Sequence, residues 1–567
     1  MTDPTGGGGE PPKSIEGPPD AAVPGELRAR VIQGATYYAA RLLLGNGLNV
    51  AAMLYVSRRI EAGNYGLAQA PMLVYGVLTE IFPLGIGTYL VRKPGDLDRE
   101  DCHQAFTVML IMAFLGLVLG LGSVPVIQQI LGARGDFAEF SRLAPILFCA
   151  LPFNVLSTYS QSLIERRLDF RKVAFIELIA SVSSNGLAIV LAALGKGPYS
   201  LIFGWCAKDV VAFALLVPEL EFVPRLRWDM ARIREIVGYG FSFSLANWTW
   251  QLRYLLNALV VAPILGKDLF GCVQFAFRLV QQLNIVGVAM RRLSISAFAK
   301  LAGDRVRLTN AHSEAMTLQV IATGPVLLAV SLAGPLIVWV LGQKWAGAFA
   351  IYPWIALSCI VDSGFSLHAF VLFALARNSR VTLFHLVRVT LFALGALLFL
   401  ERYGLTGYGY AEALTFLSYP IVHVYLKLEG MKPRYLTTLV FQAAFGISLF
   451  WRELGWPVAL IPLLVLLWPR TWDLGRRYML SLRFRRSPWS SVSSPSSVQA
   501  PPPNIGMIKA PLNEPGETST TPPIAPTGQG FPSLPPTNGQ AGPPVSPEPP
   551  KTEGTTSSGK EPSNTDS

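Results

Sequence analysis

Arginines and side-chain amides stand in this sequence where a stretch soluble in hydrocarbon should have none. From Gly240 to Asn284 the chain is apolar enough to cross a membrane. Yet it carries Asn247, Gln251, Arg253, Tyr254, Asn257, Gln274, Arg278, Gln281 and Gln282. Amides both donate and accept hydrogen bonds, and a guanidinium stays charged and can grip an oxyanion in a bidentate way. The chemistry on offer is recognition of a hydroxyl-rich or phosphorylated ligand. At 100° per residue, with Asn247 at zero, Ser244, Trp250, Gln251, Arg253, Tyr254 and Asn257 fall within about half the helix circumference. Leu245, Trp248, Leu252, Leu255 and Leu256 fill the rest. A break follows at Gly266-Lys267-Asp268. Beyond it Gln274, Arg278, Gln281 and Gln282 sit at i, i+4, i+7 and i+8, on one face. Two helices of this kind are expected to wall a polar cavity inside a lipid-facing shell.

The elements that must position these residues are membrane helices. The chain has 567 residues, 51% of them hydrophobic and 15% charged, with a mean hydropathy of +0.41. Soluble domains carry about 25% charged residues, so the expectation is an all-α polytopic membrane protein. Apolar runs long enough to span lie near 31–57, 67–91, 104–131, 143–164, 173–194 and 199–219. Six more lie near 236–265, 270–295, 314–341, 348–376, 381–400 and 405–427, and a last pair near 435–451 and 455–470. The second six echo the first. Tyr65-Gly66-Leu67-Ala68-Gln69 resembles Phe270-Gly271-Cys272-Val273-Gln274, an offset of 205 residues. Gly34 pairs with Gly240, Leu131-Gly132 with Leu341-Gly342, and Pro145 with Pro353, at nearly the same offset. The predicted plan is therefore 14 transmembrane helices, as two parallel six-helix repeats and a C-terminal helix pair. The segments are a tail over 1–27, bundles over 28–225 and 226–430, helices 13 and 14 within 431–475, and a basic then Pro/Ser/Thr-rich tail over 476–567. Both tails lack the apolar groups to form a core and read as disordered.

The net charge of +11 would suggest nucleic acid in a soluble protein. Here the basic residues cluster in alternate connections, at Arg92/Lys93/Arg99, Arg166/Arg167/Arg171/Lys172 and Arg225/Arg227/Arg232/Arg234, for example. They set orientation, with both termini cytoplasmic. The five cysteines are scattered without metal-ligand spacing. No cofactor, metal site, catalytic group or nucleic-acid partner is predicted.

Ionisable groups inside a membrane are costly and need a partner or a wet cavity. Arg41 stands in the first predicted helix, on one face with Gln33, Tyr37 and Asn49. Gln69 and Glu80 share a face of the second. Together with Arg253 and Arg278, Arg41 defines a cationic cavity between the halves, lined also by Gln69, Asn247, Gln251, Asn257, Gln274, Gln281 and Gln282. Glu80, Glu177, Asp209, Asp362 and Glu412 are the carboxylates able to couple an ion. The blander alternative is that each pairs structurally with a neighbouring helix. Lys208 and Asp209 are adjacent, point about 100° apart, and make poor partners for each other. Trp248, Trp250, Trp339, Trp345 and Trp451 read as interfacial anchors, and the several in-helix prolines as kinks.

Ala62-Gly63-Asn64-Tyr65-Gly66-Leu67, Pro83-Leu84-Gly85-Ile86-Gly87 and Ile164-Glu165-Arg166-Arg167-Leu168-Asp169-Phe170-Arg171 complete the pattern. With the helix plan they resemble the MOP (multidrug/oligosaccharidyl-lipid/polysaccharide) superfamily over residues 28–470. The likeness is to its polysaccharide-biosynthesis, O-antigen-type flippase branch. That resemblance implies alternating access in a bacterial inner membrane. It implies an undecaprenyl-diphosphate-linked oligosaccharide as substrate, the bilayer as surroundings, and polysaccharide polymerase and export machinery as further partners. A lipid II flippase, a drug or cation antiporter of the same superfamily, and a membrane polymerase or ligase remain alternatives. An antiporter would want a carboxylate-dominated cavity, and a polymerase a long external loop.

Overall fold

The computed structural model describes residues 44–467, apart from 94, 96, 133–136 and 221. Arg41, the first part of the span predicted over 31–57, and both tails lie outside the described residues. Helix follows helix, with no β-strand among the described residues. Helix α1 covers residues 44–59. Helices α2 (Ala62–Ile81) and α3 (Ile86–Arg92) meet at a 42° bend. Then come α4 (Arg99–Gly132), α5 (Phe140–Phe148), α6 (Leu151–Arg166), α7 (Phe170–Ala193) and α8 (Tyr199–Leu216). The next group is α9 (Met230–Leu256), α10 (Ala262–Leu283), α11 (Ile285–Lys300) and α12 (Arg305–Leu341), followed by α13 (Ala346–Ala374), α14 (Asn378–Leu414) and α15 (Tyr419–Leu428). Helix α16 (Leu436–Leu449) and the short α17 (Trp451–Leu454) and α18 (Ile461–Leu466) close the described chain. Asp169, Asp229 and Asp304 cap α7, α9 and α12, each carboxylate accepting from a backbone N–H of the first turn.

Eight of these helical stretches are long and apolar enough to cross a membrane, or nine with the bent α2–α3 pair. Helix α4 shows what they face. Ile111, Phe114, Leu115, Val118, Val126 and Ile130 are exposed along it. At 1.5 Å per residue this apolar surface runs about 28 Å, close to the hydrocarbon thickness of a bilayer. Water would not tolerate so long an uncovered stripe, and lipid does. The protein is a multi-pass membrane protein.

Two of the stretches reverse on a glycine. Gly266 takes φ 73° and ψ 166° within α10. The amide of Gln281 donates to the Tyr254 hydroxyl at 3.1 Å, and the Tyr254 and Phe277 rings lie 6.2 Å apart. A straight helix would separate residues 254 and 281 by about 40 Å, so the chain turns back at Gly266, as the sequence break predicts. Gly404 (φ 54°, ψ −124°) does the same within α14, bringing the Phe392 and Tyr408 rings to 5.7 Å. Ahead of the first reversal Pro263 lacks the N–H that would reach back four residues. There the helix opens into a π turn over Asn257–Val261, with the Ala262 N–H donating to the Asn257 carbonyl.

At the centre, α2 and α10 cross at backbone distance. A Cβ on Gly66 would strike the Lys267 carbonyl oxygen, and one on Gly271 the Ala62 carbonyl oxygen. Trp345, predicted as an interfacial anchor, is instead fully buried beside this crossing. It lies against Tyr65 and Phe275 and donates its indole N–H to the Ser57 carbonyl at 2.8 Å. Trp339, also expected as an interfacial anchor, is 79% exposed.

No side chain fits at the crossing. Gly271→Ala should therefore lower the thermal stability of detergent-solubilised protein by about 1–3 kcal/mol, the usual cost of overpacking. Gly186→Ala, inside α7 where nothing lies within 4 Å of the new Cβ, should not lower the melting temperature and should raise it slightly, since Ala favours helix over Gly.

Candidate functional site

A cavity of about 550 Å³ opens beside the α2–α10 crossing, walled by α2, α6, α8, α9 and α10. Helix α2 contributes Gln69, Tyr75, Gly76, Thr79 and Glu80, and α9 contributes Ser244, Asn247, Gln251 and Tyr254. From α10 come Gln274, Phe277, Arg278 and Gln281. The α9 and α10 faces are those the helical spacing marks as polar. Helices α6 and α8 add Asn154, Thr158, Trp205, Lys208 and Asp209.

The cavity has internal electrostatic order. Asp209 is buried, and its carboxylate accepts from the Tyr75 hydroxyl at 2.6 Å and the Asn154 amide at 3.0 Å. Lys208, pointing elsewhere as its position on the helix requires, lies over the Trp205 ring at 5.8 Å from the centroid. Arg278 lies over the same ring at 5.7 Å. The two cations therefore share one aromatic surface, and the electron-rich ring helps hold both. Arg278 and Lys208 are matched in formal charge by Glu80 and Asp209. The described lining is thus locally cationic at Trp205 and not cationic as a whole.

The predicted site residues among those described separate by place. Gln69, Asn247, Gln251, Gln274, Arg278 and Gln281 line the cavity, with Glu80 and Asp209. Gln282 borders a small adjoining void of about 70 Å³, together with Gln69, Arg278 and Asn49. Arg253 and Asn257 stand behind the wall. Arg253 is ion-paired with Glu412, which also accepts from the Ser358 hydroxyl at 2.9 Å. Both members of that pair are buried. Asn257 donates to the Arg253 carbonyl at 3.0 Å and accepts from the Tyr408 hydroxyl at 3.2 Å. Glu177 lies 3.4 Å from the Gln161 amide and lines neither large void. Asp362 is held by Arg388 and by the Tyr419 hydroxyl, and faces a second void of about 500 Å³. The spacing of the sequence did not single out Tyr75, Asn154 or Trp205. Asn154 lies on a helix that also carries Gln161 and several hydroxyl residues, so nothing in the spacing set it apart.

Contacts between the first and second halves of the chain occur on both sides of the cavity. On one side, besides the glycine crossing, the Lys344 ammonium reaches the Arg58 carbonyl at 3.2 Å and Glu61 at 3.3 Å. On the other, the Trp248 indole donates to the Glu80 carbonyl at 2.9 Å, and Arg232 pairs with Asp101 at 3.1 Å. The Tyr89 hydroxyl also donates to Glu235 at 3.2 Å.

A polytopic helical membrane protein built around a polar void of this kind belongs to the transporter class. Residues 56–350 match the polysaccharide biosynthesis protein family, and the chain belongs to that family. It is similar to the lipopolysaccharide biosynthesis protein WzxC of Escherichia coli (strain K12), with 23% identity over 345 residues, covering 59% of this chain and 67% of that one. It is also similar to the succinoglycan biosynthesis transport protein ExoT of Rhizobium meliloti (strain 1021), with 23% identity over 314 residues, covering 55% and 63%. The matches thus span about two thirds of these relatives. Among solved structures, the lipid II flippase MurJ in an inward closed conformation superposes with a TM-score of 0.62 at 14% identity, over 79% of this chain and 98% of that one. An inward-facing multidrug resistance MATE family transporter gives 0.56 at 15%, over 70% and 98%. These two likenesses show the fold.

Breaking a buried ion pair leaves one charge without a partner, at a cost of about 3–5 kcal/mol. Arg253→Ala and Glu412→Gln should each reduce stability on that scale in thermal unfolding. In a double-mutant cycle the pair should show strong coupling, the second substitution costing far less than the first.

Proposed function

We propose that this protein moves undecaprenyl-diphosphate-linked oligosaccharide repeat units from the cytoplasmic to the outer leaflet of a bacterial inner membrane. The product would serve exopolysaccharide, capsule or O-antigen synthesis. The observation that carries this reading is the amide-lined cavity with Arg278 and Lys208 on one tryptophan face. Sugar hydroxyls taken unpaired through hydrocarbon cost several kcal/mol each. Side-chain amides can replace the water those hydroxyls lose, while the prenyl tail stays in lipid. A diphosphate is the doubly charged group that Arg278 and Lys208 together suit. Arg278 offers a planar fork and Lys208 a compact point charge.

The proposal includes a fourteen-crossing plan with both termini cytoplasmic, and two six-helix bundles over residues 28–225 and 226–430 that rock about the cavity. The packing of α2 on α10 supports the repeat. Gly66 meets Lys267, and Ala62 meets Gly271. Adding the repeat offset of 205 converts Ala62 into Lys267 and Gly66 into Gly271. Exchanged pairs of this kind are what a two-fold axis between duplicated segments produces. Glu80 and Asp209 are the carboxylates of this cavity placed to couple an ion. A polymerase and export machinery would take the product onward.

Deletion tests the reading. Lipid-linked oligosaccharide should accumulate with its sugar facing the cytoplasm, and the strain should survive, unlike one lacking its cell-wall precursor flippase. Arg278→Ala should reduce surface polysaccharide at least about tenfold, since a charge-assisted hydrogen bond is worth about 1.5–3 kcal/mol. It should melt at the wild-type temperature. Normal polysaccharide in both the deletion and the Arg278→Ala strain would refute the proposal.

A further inference from the structure

The second void, about 500 Å³, lies among α9, α13 and α14, with Arg92 of α3 and Ile295 of α11 also in its lining, and Asn247 lines both it and the first. Its chemistry differs from that of the first. Trp250, Phe370 and Phe373 give it aromatic walls, and Ser366 and Asn378 add a hydroxyl and an amide. Arg388 is buried in its wall, 5.1 Å from the Trp250 ring centroid and 5.2 Å from that of Tyr419. It is already ion-paired with Asp362. Its Nε–H is closed off from the void and has no hydrogen-bond partner among the described residues. The hydrogen bonds from Arg388 and Tyr419 both fall on Oδ1 of Asp362, whose side chain is 32% exposed.

We infer that this second chamber is a subsite for sugar rings, those furthest from the diphosphate. The inference rests on the transport reading above and specifies its substrate. Aromatic walls suit the C–H faces of a pyranose. The Ser366 hydroxyl, the Asn378 amide and the second carboxylate oxygen of Asp362 offer donors and acceptors to its hydroxyls. The Arg388–Asp362 pair is neutral, and Arg92 is the other formally charged side chain of the lining. A prenyl tail would leave the same polar groups unpaired. Asn247 lines both chambers, so the two lie side by side. A chamber of this size lies within the range of small-molecule sites, about 300–1,000 Å³.

Two probes test this with the full-length protein in phosphatidylethanolamine and phosphatidylglycerol vesicles. One is a polyprenyl diphosphate carrying a single sugar. The other is the lipid-linked oligosaccharide extracted from the deletion strain. Flipping is read as loss of sugar protection from membrane-impermeant periodate. Ser366→Trp, filling the chamber from α13, should carry the one-sugar probe at the wild-type rate and the oligosaccharide at least tenfold more slowly. Asn378→Trp, filling it from the first turn of α14, should do the same if Ser366→Trp does not fold. Equal transport of both probes by either folded Trp variant, or equal loss of both, would overturn the subsite. Failure of the wild-type protein to flip the oligosaccharide would instead overturn the transport reading itself.

Discussion

A charge inside a membrane protein must find either an opposite charge or a wet surface, and this requirement sorts the arginines of the second half. Arg253 and Arg388 are buried and meet Glu412, itself buried, and Asp362, which is partly open to the second void. Each pair is cross-braced by an uncharged hydroxyl, Ser358 for one and Tyr419 for the other. Trp250 lies 5.7 Å from the Arg253 guanidinium and 5.1 Å from that of Arg388, so the two pairs share one aromatic partner. Arg278 has no carboxylate within ion-pair distance among the described residues. It leans on Trp205 at the cavity wall, where a ligand can reach it. The same residue type, one helix apart, thus serves the scaffold in one place and the cavity in the other.

The glycine crossing decides where that cavity can be. Close approach of α2 and α10 at Gly66 and Gly271 fixes the two helices at one point. Beyond it they carry Gln69, Gly76 and Glu80 on one side and Gln274, Arg278 and Gln281 on the other, all facing the same void. Bulkier residues at the crossing would separate the helices and break the geometry that lets amides from both halves address one ligand. A helix pair held this tightly also resists sliding. Motion between the halves is therefore easier as rotation about the crossing than as translation across it.

Much of this was legible in the sequence, and the limits have a physical cause. The reversal at Gly266, the polar faces of α9 and α10, and the echo between residues 65–69 and 270–274 all depend on local order, which spacing records. What spacing does not record is the partner. Arg253 and Arg278 look alike on a helical wheel, because Glu412 lies 159 residues from Arg253 and only folding brings it there. For the same reason the cation at the cavity wall includes Lys208, whose neighbour Asp209 turns to Tyr75 and Asn154 instead. Trp345 was misplaced because interfacial and buried tryptophans have the same flanks. Its buried Ser57 carbonyl partner is 288 residues away.

The buried carboxylates of these helices are held in two ways. Glu412 on α14 meets the buried Arg253, and Asp101 on α4 meets Lys93 and Arg232. Removing the Glu412 carboxylate would leave a buried cation unmatched. Asp209 on α8 is instead held by two neutral donors, the Tyr75 phenol and the Asn154 amide. No ion pair among the described residues cancels its charge, and it stands at the wall of the cavity on the residue next to Lys208. It therefore takes part in the local balance of charge around Trp205, where Lys208 and Arg278 lean on one ring.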